Sequence, residues 1–376
     1  MAASTVDKMD KMDMVDDSRP RSRMTARVRR DVLLDRTAFQ LMASVVTKPD
    51  PDLLARVRAE VDEALPLFEE RGWLADPATY HRTPPPPAGI RTRRKASGTI
   101  RHTTMTWPDG YECRSEEPGA ARFAAYRENR IARAALLEHR AGNRPWVVCI
   151  HGFGMGSPAF DLRAFRALHL HRELGLNVAF MTLPLHGRRK PAGSRLAGMP
   201  GVDMLDSLHG MAQAVWDVRQ LLAHLRERGG GPIAVMGFSL GGCVTALVSS
   251  LDDIDAALLL APAVDLGTLM VEAADRFPGS AIAVSNDGIE RASAVLHPVA
   301  PLRLQGRVPP ERAMIAAATL DRFARPSTQA VALWRHWNEP ELHWTHGGHV
   351  GLVMGRSVQS AIDASLDRFG LVTARS

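Results

Sequence analysis

Apolar residues recur along this chain in two rhythms. Between 31 and 46 (Val32, Leu33, Leu34, Phe39, Leu41, Met42) and between 51 and 73 (Leu53, Leu54, Val57, Val61, Leu65, Phe68) they return every three or four positions, which predicts two helices. From about 96 onward the apolar stretches become short runs separated by helical segments. Runs at 99–105, 131–137, 145–150, 177–183, 233–236, 256–260, 313–320 and 341–345 read as strands. The segment 123–126 also reads as strand, so that 99–137 opens as an antiparallel hairpin. Helical spacing occupies 162–174, 205–225, the stretch from 240, 329–337 and 357–369. The helix at 205–225 is stopped by Gly229, Gly230 and Gly231. Alternating strand and helix predict an α/β fold with a mostly parallel, eight-stranded sheet and helices on both faces.

The same pattern divides the chain. Residues 1–28 are polar and are expected to be a disordered tail. Residues 29–95 form a helical appendage and a linker, in which Pro84–Pro87 precede Arg91, Arg93, Arg94 and Lys95. That basic cluster reads either as a contact for an acidic group or as a solvated linker. Residues 96–376 form the main domain, with cap insertions at about 188–203 and 264–307.

Composition narrows the classes. A chain of 376 residues that is 45% hydrophobic has ample material for a buried core. A net charge of +6 is mild at this length and does not argue for nucleic-acid binding. Three cysteines, Cys113, Cys149 and Cys243, make no disulfide framework and suit a reducing compartment. No apolar run reaches membrane-spanning length, and the acidic N-terminal stretch is unlike a secretory signal, so the expected location is cytoplasmic.

Candidate chemistry centres on 232–250. An apolar run leads into Gly237-Phe238-Ser239-Leu240-Gly241-Gly242, and helical spacing follows. Strand, sharp turn and helix with serine at the apex make a nucleophile elbow. Glycines two before and two after the serine let the backbone fold back on itself. A serine hydroxyl needs a base and an acid that orients it. Asp321 stands at the end of the run 313–320, and His349 lies in Gly347-Gly348-His349-Val350-Gly351. Asp265 and His346 are the competing acid and base. Asp252, Asp253 and Asp255 read as a surface turn. His169 and His171 lack neighbours at ligand spacing, and Gly152, Gly154 and Gly156 open no dinucleotide helix. No metal or other cofactor is expected. Met199, Met204 and Met211 read either as pocket lining or as core.

On these motifs, together with His151-Gly152-Phe153-Gly154, the chain resembles the α/β-hydrolase superfamily across roughly residues 96–376. The resemblance implies Ser239 as nucleophile, His349 as base then acid, and Asp321 as its orienter. It implies an oxyanion hole from the backbone N–H groups of Phe153 and Leu240, with His151 bracing that loop. It favours Asp321 over Asp265, since this fold's acid follows the penultimate strand, and the glycine-flanked His349 over His346. The turn 184–191 adds a weaker likeness to a little-described branch. The expected activity is cleavage of a small-molecule acyl ester through an acyl-enzyme. Transfer of the acyl group to an alcohol or amine, or a non-catalytic binding scaffold, are the alternatives. Apolar residues of the second insertion (Leu269, Met270, Val271, Phe277, Ile282, Val284, Val295, Leu296) suggest an apolar or lipid-like acyl group and a peripheral membrane contact, and a helix pair packed between elements would carry the same pattern. Arg188, Arg189, Lys190 and Arg195 suggest an anionic head group. The oligomeric state is left open.

Overall fold

The structure, a computed structural model, describes residues 20, 24–45, 51–140, 143–192, 199–276 and 286–372. Nearly all of the expected tail, Arg195, and Phe277, Ile282 and Val284 therefore lie outside the described residues. Two helices come first, α1 (Ala26–Val45) and α2 (Pro51–Glu70), so helix begins within the stretch expected as tail. The stripe on α2 is as the spacing predicts: Val57, Val61, Ala64 and Phe68 are buried. Phe68 packs edge-on against Trp73, with ring centroids 5.4 Å apart. Helix α1 behaves differently. Its described buried positions are Val28, Asp31 and Asp35, whereas Leu33 and Leu34 stand exposed at 61% and 43%. Asp35 faces inward because backbone donors await it at the candidate site below, and Asp31 beside it accepts from the Arg30 guanidinium at 3.1 Å.

The sheet has nine strands, one more than expected: β1 (Arg91–Ser97), β2 (Ile100–Pro108), β3 (Ile131–Leu137), β4 (Trp146–Ile150), β5 (Asn177–Thr182), β6 (Ile233–Phe238), β7 (Ala256–Leu260), β8 (Ala313–Ala318) and β9 (Glu341–Thr345). Their order is β1-β2-β3-β5-β4-β6-β7-β8-β9. The first four in that order pair antiparallel and the remainder parallel. The added strand is the basic cluster. Arg91–Ser97 is no linker but pairs with β2 across Gly98, whose positive φ of 62° suits a tight turn. The stretch 123–126 is likewise not strand, because Ala120–Ala124 forms a short helix, α3.

Parallel strands covered on both faces carry continuous apolar runs. Along β4, Val148 and Ile150 face one layer while Val147 and Cys149 face the other. The first layer packs against α2, α5 (Met204–Glu227) and α6 (Leu240–Leu251). The second packs against α4 (Pro158–Ala164) and the closing helix. Met199, Met204 and Met211 are all buried in the first layer, as core. Between β7 and β8 run α7 (Leu266–Arg276) and α8 (Asn286–Val295), then Ala330–His336 is α9. After β9 come α10 (His349–Leu352) and α11 (Arg356–Arg368). Helix α2 is fastened by charge as well as by packing. Arg122 on α3 donates to Glu60 on α2 and to Asp203 and Asp206 at the start of α5. Among the described residues, no helix is long and apolar enough to cross a membrane.

Candidate active site

Ser239 sits between β6 and α6 with φ 56° and ψ −115°, a left-handed conformation rare for a residue with a side chain. The surroundings hold it there. Its N–H donates to the Leu260 carbonyl at 2.9 Å, and its own carbonyl accepts from Cys243 and Ala263 at 3.1 Å each. The flanking glycines are required by contact. A Cβ on Gly237 would collide with the carbonyl of Gly241, and one on Gly241 would collide with the carbonyl of Ile150. The helix that follows therefore lies directly against the end of β4, with its N-terminus at the serine.

The chain brings Ser239, His349 and Asp321 together from three separate loops at the carboxyl ends of β6, β8 and β9. His349 Nε2 lies 2.9 Å from Ser239 Oγ, and His349 Nδ1 lies 2.6 Å from Asp321 Oδ2. The second Asp321 oxygen accepts from the backbone N–H of Phe323 at 2.9 Å and of Ala324 at 2.8 Å. With both oxygens engaged, the carboxylate is fixed in orientation, and it fixes the ring. The tautomer follows from the partners: Nδ1–H donates to Asp321 and Nε2 accepts from the serine hydroxyl. The imidazole is nearly enclosed, lying against Phe238 (centroids 5.0 Å) and Phe323 (5.2 Å). Burial depresses its pKa, but the charge and hydrogen bond of Asp321, joined by the Asp35 charge, together raise it above the ordinary 6.5.

Phe153 lies in the turn after β4, and Leu240 opens α6 on the adjacent strand β6. His151, buried, donates from Nδ1 to the Gly152 carbonyl at 2.8 Å and accepts at Nε2 from the Leu183 N–H at 3.1 Å. Burial pushes its pKa down to about 3, so it braces this turn as a neutral ring.

Other candidates fall elsewhere. Asp265 accepts from the Thr268 N–H (2.8 Å) and hydroxyl (2.6 Å), capping α7 rather than meeting His349. Asp252 pairs with Arg219 at 3.2 Å. His169 pairs with Asp363 at 2.9 Å, and His171 stacks on His139 with centroids 3.9 Å apart. Arg189 does not face a ligand. It is wholly buried against Asp217 at 2.6 Å. One neighbour of the site escaped sequence reasoning altogether: Asp35 on α1 accepts from the backbone N–H groups of His349 (2.7 Å) and Val350 (2.9 Å). The visible signal was an acid pair spaced i, i+4, Asp31 and Asp35, inside a basic helix.

Several known proteins resemble this chain. Two uncharacterized proteins of Mycobacterium tuberculosis, MT2702 from strain CDC 1551 and Rv2627c from strain H37Rv, are each 36% identical over 322 residues. Each match covers 85% of this chain and 77% of the relative. Among solved structures, carboxyl esterase 2 of the fungus Tuber melanosporum is 17% identical, with a TM-score of 0.46 over 87% of this chain and 100% of that one. A thermostable esterase from Pseudomonas putida is 14% identical, with a TM-score of 0.44 over 94% of this chain and 100% of that one. The model of the Alpha/beta hydrolase family matches residues 147–373. With that match over more than half its length, this chain belongs to the alpha/beta hydrolase family.

Proposed function

We propose that the protein is a serine hydrolase that cleaves esters through an acyl-enzyme. The observation that supports this most directly is the hydrogen-bonded series Ser239, His349, Asp321, with separations of 2.9 Å and 2.6 Å. Ser239 Oγ attacks the acyl carbon while His349 Nε2 takes its proton. The oxyanion that forms is stabilised by the N–H groups of Leu240 and Phe153, where loss of one donor typically costs about 10²- to 10³-fold in turnover. His349 then returns the proton to the departing alcohol, leaving Ser239 acylated. Water, deprotonated by the same imidazole, releases the acid.

The test is covalent. A fluorophosphonate should label the wild type at Ser239 and leave Ser239→Ala unlabelled. A folded wild type that resists the reagent would overturn the reading and leave a binding scaffold. Added alcohol acceptors during ester turnover separate the two chemistries: new ester product would mark an acyltransferase, and its absence a hydrolase.

A further inference from the structure

The loop that carries His349 is not self-supporting. Helix α10 is a single turn, and its N-cap is Gly348, which has no side chain to offer. The first two amides of the turn would be left without partners in a buried place. Asp35 supplies both, Oδ2 accepting from His349 N–H and Oδ1 from Val350 N–H, across 314 residues of sequence. The glycines around the histidine make room for this. A Cβ on Gly348 would collide with the Asp35 carboxylate, and one on Gly347 or Gly351 would come within 3.0 Å of Asp31. Their first role is to admit α1, rather than to loosen the loop.

We propose that Asp35 is a positioning residue for His349, so that α1 completes the catalytic centre from outside the segment matched by the family. This rests on the reading of Ser239, His349 and Asp321 as a triad. Three observations carry it. Asp35 is only 2% exposed, and burying a carboxylate is costly unless its partners repay it. Its partners are the backbone of the histidine itself and of the next residue, so any shift of α1 is transmitted to the imidazole. Finally, α1 spends exposed leucines on the solvent side while turning acids inward, the reverse of a helix selected for packing alone. The charge contributes too. Among the described residues, the charged groups at the His349 ring and its loop include Asp321 after β8, Asp35 and Asp31 on α1, and Arg30, which donates to Asp31 at 3.1 Å. The Asp35 charge supports the imidazolium that forms during attack.

The experiment uses the full chain as wild type, Asp35→Asn, Asp35→Ala and Arg36→Ala, the last an exposed position on the same helix. Turnover of a p-nitrophenyl ester is followed against pH, and the His349 ring is titrated by NMR. Asp35→Asn should lower kcat about 10- to 100-fold with KM little changed, as for a displaced catalytic group. Its acid limb and its His349 titration should both move to lower pH, a shift that a merely structural role would not produce. Arg36→Ala should match the wild type. Wild-type kcat and an unmoved His349 titration in folded Asp35→Asn would overturn the proposal. If Asp35→Ala does not fold, the isosteric Asn variant decides. If even the wild type turns over no ester, the triad reading fails, and the NMR titration still decides whether Asp35 governs the ring.

Discussion

Arg189 donates to Asp217 at 2.6 Å, and neither side chain has any exposed surface. The same guanidinium reaches the Thr182 carbonyl at the end of β5, the Asn129 carbonyl before β3, and Asp109 after β2 at 3.5 Å. One cation, carried by the turn 184–191 itself, thus ties the antiparallel edge of the sheet to helix α5.

Removing that cation strands two buried carboxylates. Arg189→Ala should lose about 3–5 kcal/mol of stability in urea denaturation, since a buried charge is left uncompensated. Arg189→Met combined with Asp217→Leu should lose less than the single variant, because no unpaired charge remains at α5.

For the proposed chemistry, kcat/KM should fall as pH drops, with an acid limb centred above pH 6.5. Protonated His349 cannot accept the serine proton, and Asp321 holds its pKa up. Asp321→Asn offers an amide where the ring needs an acceptor, so it should cost about 10⁴-fold in turnover while the protein stays folded. Stopped-assay pH profiles of both proteins check this.

Gly241→Ala should be inactive and destabilised by about 1–3 kcal/mol, because the new methyl meets the backbone carbonyls of Ile150 and His151 rather than a yielding side chain. Thermal melts and fluorophosphonate labelling read the two effects separately.

Asp161, on α4, is buried with only a 3.4 Å contact to the Gly156 N–H, and burial raises its pKa from 3.8 to about 7. Below pH 3.8 both folded and unfolded chains hold this proton. Between there and about pH 7 the unfolded chain has released it and the folded chain keeps it. Stability should therefore fall as pH rises through that window, by at most about 1.4 kcal/mol per pH unit. Subtracting the Asp161→Asn curve from the wild-type denaturation curve isolates the effect.

Much of this architecture was legible because its signals are local. The elbow announces itself through Gly237 and Gly241 at fixed spacing about Ser239, although the close contact that requires Gly241 is with Ile150, remote in sequence. The central strands read clearly because burial on both faces makes them apolar without interruption, as in Ala256–Leu260. What escaped depends on partners remote in sequence. Arg91–Ser97 has the composition of a linker and becomes a strand only through its pairing with Ile100–Pro108. Arg189 looked like a ligand contact because its carboxylates lie on Asp109 and Asp217, invisible to local inspection. Asp35 was hidden most deeply. Leucines made α1 appear to face inward through Leu33 and Leu34, and nothing near residue 35 hints at amides near residue 349.

The strand at the sheet's margin has a consequence for the protein's behaviour in bulk. Among the described residues, Arg91–Ser97 is the last strand of its margin, with a row of backbone groups that another chain's edge could extend. Arg91, Arg93, Arg94 and Lys95 all project into solvent from it. A second copy approaching edge to edge would align like charges along the whole seam. Repulsion there guards against sheet-to-sheet aggregation, and the guard weakens as added salt shortens the reach of the charges to about 3 Å near 1 M.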